Sequence, residues 1–385
     1  MKKKFQMENK SKNTIDLILI AFVYFFIVSG GFIPTFHEDF EKSLGKLLAL
    51  IMLIFGGMLV SVRINTLKVV GVFILCGIFF AILSMTRSNY IVYAIEKLDG
   101  AILCTAGIVL FLDYIFIKIG RDNFLKNFNI IALVILILTI FYKIHFGFFT
   151  RDVRFFLNGP IVFSWIMSFC ALSSFHLWLK YRGNHDGLFF LVFIIAVFWT
   201  ESKGALVAFS LSFIFYCLFS VKEKRIFLLF LISFLSFIAF LLLKYFTVEF
   251  EESRFGAIAR LFTGNLDSRD EGSIGIREEL MGHAMDLFFD NPFIGIGLGN
   301  YQFDEFFYPH NQHLELFAEM GFFIGSLSFC FILYAFFKSD LFFKCVIMLF
   351  VIAGSFSGDA SYLRFTYSFA ILGILNCKQI SKWNN

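Results

Sequence analysis

The chain is short of charge. Asp, Glu, Lys and Arg make up 16% of it, where a soluble globular chain carries about 25%, so there is too little polar surface for a soluble fold. The net charge of +4 is small and dispersed, which gives no footing for nucleic acid as a partner. The seven cysteines include no CxxC pair and fall singly, mostly in apolar runs. That argues against both a zinc site and a disulfide framework, and they read as small apolar filler. No internal repeat is visible. The basic start MKKKFQMENKSKN is followed by no small-residue cleavage site, so the run from Ile15 is expected to be a retained first span, not a removed signal peptide.

Apolar residues supply 59% of the chain, 60 of them Phe. The apolar runs are continuous rather than alternating, which selects lipid-facing helices over barrel strands. A span needs about 20 apolar residues. Candidates are 15–33, 44–62, 66–85, 100–118, 128–147, 160–180, 187–200, 204–221, 226–247, 313–337, 341–355 and 361–377. The expected fold is all-α: a polytopic transmembrane helical bundle of about 12 spans, with 10–12 as the range. The pairs meeting near Thr200–Lys203 and Ser355–Ser361 read as re-entrant or merged.

Lys and Arg alternate between loops. One side collects Arg63 and Lys68, then Lys118, Arg121 and Lys126, then Lys180 and Arg182, then Lys222, Lys224 and Arg225, then Lys338 and Lys344, with Lys378 and Lys382 in the tail. The opposite loops are acidic or mixed, as in HEDFEK at 37–42 and EFEES at 249–253. The positive side is the cytoplasmic one, so both termini are expected inside and the long loop 248–312 outside. The expected layout is an N-terminal bundle over 1–247, that loop over 248–312, and the C-terminal spans and tail over 313–385.

Polar groups in such a chain are costly unless partnered or functional, and they concentrate in Gly272–Gly325. Leu280, Ala284, Leu287 and Phe288 fall at helical spacing, which predicts an amphipathic helix over 276–290. Asn291 and Pro292 end it. Asn265–Gly275 is left without assigned structure. The glycines of GIGLG, 295–299, lack the strand and helix of a dinucleotide site and read as a turn permitting close backbone approach. Tyr308, Pro309, His310 and Asn311 lead to a helix starting near Gln312. His310 is either a base able to accept a proton from a sugar hydroxyl near neutral pH, or an interfacial His stacked beside Tyr308 and hydrogen-bonded to Asn311. Outer arginines could hold a diphosphate in bidentate forks. Arg151 and Arg154 could equally be headgroup anchors, Glu201 and Lys203 a self-cancelling polar turn, and Asp359 and Arg364 a structural ion pair. A metal at His310 and His313 finds only Asp304 and Glu305 as close carboxylates, so none is expected.

IREELMGHAMDLFFDNPFIGIGLGNY, followed by PHNQHLELFAEMGFFIG, resembles the signature of the O-antigen ligase/polymerase family of bacterial integral membrane glycosyltransferases. Arg277, Pro292, Gly295, Gly297, His310, Asn311 and Gly321 occupy the pattern's places. Arg154 with Asn158, Gly159 and Pro160 is a looser likeness, as is Thr200–Gly204, where Lys203 stands in place of the usual Arg and lacks its fork. The resemblance implies transfer of an undecaprenyl-diphosphate-linked glycan at the outer leaflet of the bacterial inner membrane, with the site facing the periplasm and with neither metal nor cofactor. It implies His310 as general base and Arg277 as charge stabiliser. Arg154, Arg151, Lys203 and Asn311 would bind substrate and diphosphate, and Pro292, Gly295, Gly297 and Gly321 would be structural. Its partners are the lipid-linked oligosaccharide and membrane lipid, and it leaves room for a chain-length regulator protein. NGPIVFSW and PHNQHLEL look more like the polymerase branch. A ligase moving the finished chain to lipid A core is the alternative. A transporter of lipid-linked oligosaccharide fits less well, because its ionisable residues would sit near the midplane of paired halves.

Overall fold

The computed structural model describes residues 20–21, 63–146, 159–220, 268–302, 306 and 308–383. Helices dominate, and no strand is formed among them. In chain order they are α1 (Ile64–Met85), α2 (Ile91–Leu98) running through a π turn (Asp99–Cys104) into α3 (Thr105–Ile119), α4 (Arg121–Phe146), α5 (Gly159–Tyr181), α6 (Asn184–Trp199), α7 (Lys203–Ser220), α8 (Ser268–Asp290), α9 (Gln312–Lys338), α10 (Leu341–Phe356), a 3₁₀ turn (Ala360–Tyr362) and α11 (Leu363–Trp383).

Six of these runs are long and apolar enough to cross a membrane: Ile64–Met85, Ile91–Ile119, Arg121–His145, Gly159–Tyr181, Lys203–Ser220 and Gln312–Lys338. Asn184–Trp199 and Leu341–Phe356 are shorter apolar helices. The expected spans 44–62 and 226–247 lie outside the described residues, as does 15–33 apart from the helical pair 20–21. The expected merging near Thr200 resolves as a tight turn between α6 and α7, with Glu201 at φ 51°.

α5 is the central post. It is apolar on every face, and residues from Val162 to Leu177 are almost all buried, the pattern of a helix surrounded by others. It packs against α4, α6, α7 and α10, while α11 packs on α3, α9 and α10. Phe rings fill these seams alongside branched aliphatics. Phe350 stacks on Phe365 at 5.1 Å and on Phe369 at 5.3 Å, and Phe169 meets Phe369 at 5.1 Å. Trp165, fully buried, stands edge-on to Tyr362 and Phe365.

Loops assigned to one membrane side by their Lys and Arg meet at one end of the bundle. Arg63 pairs with Asp113, which also accepts from Thr66 at 2.6 Å. Arg121 pairs with Asp340. Asp122 accepts from Lys180 at 2.5 Å and from Tyr181 at 2.6 Å. At the opposite end, the α1–α2 turn meets the segment following α8.

Two expectations need correction. α8 begins at Ser268, inside the stretch left without structure. Ser268 and Glu271 stand in the S-x-x-E spacing that favours a helix start, and Gly272 and Gly275 behind it are tolerated. The structural ion pair offered as the plain reading of Asp359 and Arg364 is also absent among the described residues. Asp359 instead caps the 3₁₀ turn through the Ser361 N–H at 2.8 Å. Arg364 is buried over the Tyr362 and Phe365 rings, with Nη1 donating to the Ser361 carbonyl at 3.1 Å.

Replacing Trp165 with Ala removes the ring on which α5 and α11 close. The expected cost is about 3–5 kcal/mol, to be read as a lowered midpoint of thermal unfolding in detergent.

Candidate active site

The site is assembled around a break in α9. Gly321 adopts φ 74°, ψ −178° inside that helix. A break strands backbone groups that cannot stay unpaired in an apolar setting, and the segment after α8 satisfies them. Ile296 N–H donates to the Ala318 carbonyl at 3.0 Å, Gly297 N–H to the Glu319 carbonyl at 2.9 Å, and Phe322 N–H to the Pro292 carbonyl at 2.7 Å. The two backbones touch. A Cβ at Gly295, itself at φ 66°, would overlap the Glu319 carbonyl, and one at Gly321 would overlap the Phe293 carbonyl. Pro292, Gly295, Gly297 and Gly321 thus form one docking joint.

The α1–α2 turn clasps the joint from the other side. Arg87 Nη1 donates to the Gly295 carbonyl at 2.6 Å, Asn89 N–H to Asn300 Oδ1 at 2.7 Å, and Leu298 N–H to Ser84 Oγ at 2.7 Å. Asn300 Nδ2 returns to the Arg87 carbonyl at 2.8 Å. Sequence reading passed over Arg87, because its partners lie 208–213 residues away.

α8 lies on the first half of α9 through a small core of its own: Leu280, Ala284, Tyr301 and Ala318, flanked by Leu287, Phe306 and Leu314. Leu280, Ala284 and Leu287 belong to the face predicted from spacing. Tyr301 Oη donates to the Leu280 carbonyl at 2.8 Å, and burial holds that phenol's pKa well above its ordinary value.

This packing brings Arg277, His310 and Asn311 together. Asn311 caps α9, its Oδ1 accepting from His313 N–H at 3.2 Å and Leu314 N–H at 3.1 Å. Its Nδ2 faces Met281 Sδ at 4.0 Å. Asn311 therefore fixes the chain beside His310 rather than bonding the imidazole. His310 is half-buried in the left-handed region at φ 54°, a conformation a non-glycine residue adopts only when its surroundings impose it. Its ring stands 4.5 Å from Tyr308 and 6.2 Å from Phe306. The aromatic neighbour of the bland reading is therefore present, but Nδ1 is buried without a hydrogen-bond partner. Burial, and then the Arg277 guanidinium, bring the imidazole down to about 4. Burial pushes the Tyr308 phenol up to about 12, with Asp359, Tyr362 and Glu315 adding to the rise and Arg277 opposing it. At neutral pH the pair is a neutral imidazole, its Nδ1 buried and unpartnered, beside a protonated phenol.

Lys203 begins α7 at the same end. Gly204 beside it abuts Phe356, and Gln312 donates to the Ser357 carbonyl at 3.3 Å, so Lys203 is separated from His310 by the end of α10. Arg151 and Arg154 lie outside the described residues, just before α5. His313 turns away and donates from Nε2 to the Val351 carbonyl at 3.1 Å. No group of His, Cys, Asp and Glu suited to a metal ion occurs among the described residues.

Residues 188–330, from α6 to the second half of α9, match the family model described as O-antigen ligase. This match supports the resemblance of the chain to the O-antigen ligase/polymerase family. Arg277, Lys203, His310 and the glycine joint all fall inside the matched segment. The apolar helices and the matched family together indicate a multi-pass membrane protein, and that family implies a glycosyltransferase-like enzyme acting on lipid-linked sugars. No curated protein matches the chain.

Two outcomes follow for the site. Gly295→Ala and Gly321→Ala should each open the joint, giving proteolytic cleavage near 292–297. Gly282→Ala on α8, where an added Cβ meets nothing within 4 Å, should leave digestion unchanged. For His310, unfolded imidazole takes up a proton near pH 6.5 whereas the folded one does so near 4. Stability at this residue is therefore full above 6.5 and is lost as pH falls from 6.5 towards 4. His310→Gln should flatten that part of the stability–pH curve.

Proposed function

We propose that this protein is a polysaccharide polymerase of the O-antigen type. It would transfer an undecaprenyl-diphosphate-linked glycan to a sugar hydroxyl of another lipid-linked repeat unit at the outer leaflet. The observation that carries the reading is the buried, unpartnered Nδ1 of His310 beside Arg277, within the segment matching the family.

In this reading the acceptor hydroxyl gives its proton to His310 as its oxygen attacks the donor's anomeric carbon. The bond from that carbon to the diphosphate oxygen breaks, and the lipid diphosphate leaves with the electron pair. Arg277 stabilises the charge growing on it, with Arg154, Arg151 and Lys203 as the further cations. Asn311 keeps His310 in register by holding the start of α9. Tyr308 flanks the imidazole as a hydrogen-bond donor to a sugar oxygen. The loop 248–312 faces the periplasm, and no metal or nucleotide takes part.

An apolar crevice of about 510 Å³ supports a lipid-linked substrate. It runs between α1, α2, α9 and α11, from the level of Lys68 to that of Lys97 and Ala360 beside the glycine joint, with Phe73, Phe80, Leu98, Ile324 and Phe331 among its walls. A polyprenyl chain there would bring its diphosphate to the Arg277 end.

The test is the surface glycan of cells lacking the gene, complemented with wild type, His310→Ala or Arg277→Ala and resolved by length on a gel. Each substitution is expected to lower turnover by about 10²-fold or more, leaving a single repeat unit on the core. Loss of all surface repeats, with long chains accumulating on the carrier, would instead assign the ligase reaction. A normal ladder from both variants at normal expression would remove these residues from the mechanism.

A further inference from the structure

The half of α9 that precedes Gly321 is not held by helix continuity, because the helix is broken there. It must be held from the side. Gln312 and His313 hydrogen-bond to α10 and the turn after it, and the carbonyls of Ala318 and Glu319 hold the glycine joint. A third set of ties is ionic. Glu315 and Glu319 stand one turn apart on the same face, both at 0% exposure. Lys97, arriving from α2, places Nζ 2.5 Å from Glu315 Oε1 and 2.6 Å from Glu319 Oε1. Each carboxylate then reaches onward. Glu319 Oε1 accepts from the Tyr301 N–H at 3.1 Å, and Glu315 Oε2 from the Ala360 N–H at 2.8 Å.

Both carboxylates lean on Lys97, and a buried charge does not stay unpaired. Beyond Ala360, Arg364, 1% exposed, donates from Nη1 to the Ser361 carbonyl. Lys97, Glu315 and Glu319 thus tie α2 to the first half of α9, to Tyr301 in the segment after α8 and to the turn before α11.

We propose that Lys97 is a positioning residue for His310: its two ion pairs pin the short half of α9 to α2, and with it the Asn311 cap and the imidazole just before it. The consequences for turnover rest on the reading of His310 as the base. The positional claim itself does not.

The geometry makes the proposal testable without substrate. His310 is faced by Arg277 from α8 and by Tyr308 from its own loop. Around Tyr308 in turn stand Glu315 of α9, and Asp359 and Tyr362 of the turn before α11. If the tie to α2 is lost, His310 leaves this enclosure and its titration moves towards that of a solvated imidazole.

The experiment uses full-length protein in detergent, with ring-labelled histidine. His310 among the seven histidines is assigned by loss of its signal in His310→Gln. Lys97→Met alone strands two buried carboxylates and could fail to fold, so the decisive protein is K97M/E315Q/E319Q, which keeps the shapes without the charges. Thermal unfolding is measured first, and a midpoint close to wild type is expected. The His310 titration midpoint should rise by about one pH unit or more, while Arg277→Lys serves as a control for charge alone. In glycan turnover the triple variant should lose roughly 10–100-fold in kcat with KM little changed, and Lys97→Arg should recover part of it. An unshifted His310 titration in the triple variant would overturn the proposal and leave the network a stabilising role only. A triple variant that does not fold would overturn it as well, since the tie would then serve the whole bundle. A shifted titration with no glycan turnover by any protein, wild type included, would uphold the positioning and count against the enzymatic reading.

Discussion

A helix broken inside an apolar bundle exposes backbone groups that water cannot reach. At Gly321 this would strand the carbonyls of Ala318 and Glu319 and the N–H of Phe322. The segment 292–297 supplies the opposite set: two N–H donors from Ile296 and Gly297, and the carbonyl of Pro292. These three hydrogen bonds explain why the second backbone comes so close, why two of its contact points are glycine, and why α8 ends where it does. They also explain why His310 sits where it does. The short half of α9 is free to point away from the rest of the helix, and its first residues carry the cap and the imidazole to the end of the bundle.

Within that frame the imidazole is made unusual by position rather than by a partner. Among the described residues no carboxylate pairs with it. Burial and a nearby guanidinium hold it neutral, and Nδ1 is buried without a hydrogen-bond partner. A group with so low a proton affinity is a weak base, so its usefulness in transfer chemistry depends on close placement against the acceptor hydroxyl. That is why the lateral ties of α9 matter as much as the ring itself.

Much of this was legible in the sequence because local rules govern it. The 3.6-residue period exposed the buried face of α8 at Leu280 and Ala284. Proline marked its end at Pro292, and the start of α9 was expected near Gln312. Lys and Arg counts placed Arg63, Arg121 and Lys180 at a common end, where their carboxylate partners are found. The losses share one cause: periodicity says which face is buried, never which distant helix covers it. Lys97, Glu315 and Glu319 drew no reading in the sequence. Arg87 had no visible purpose, and Asp359 with Arg364 invited a local pair that a cap and an aromatic stack replaced. Arg277 and His310 were found through their motif, but that Nδ1 is buried without a hydrogen-bond partner could be seen only in three dimensions.

The small core beneath α8 is separate from the main one. Four buried side chains hold it, against dozens in the bundle, and the two cores open independently unless the joint at Gly321 transmits the change. Heating should therefore silence this protein before it unfolds. The corner that carries His310 would let go first, at a temperature where the spans still hold their places, and cooling would restore it without any helix having left the membrane.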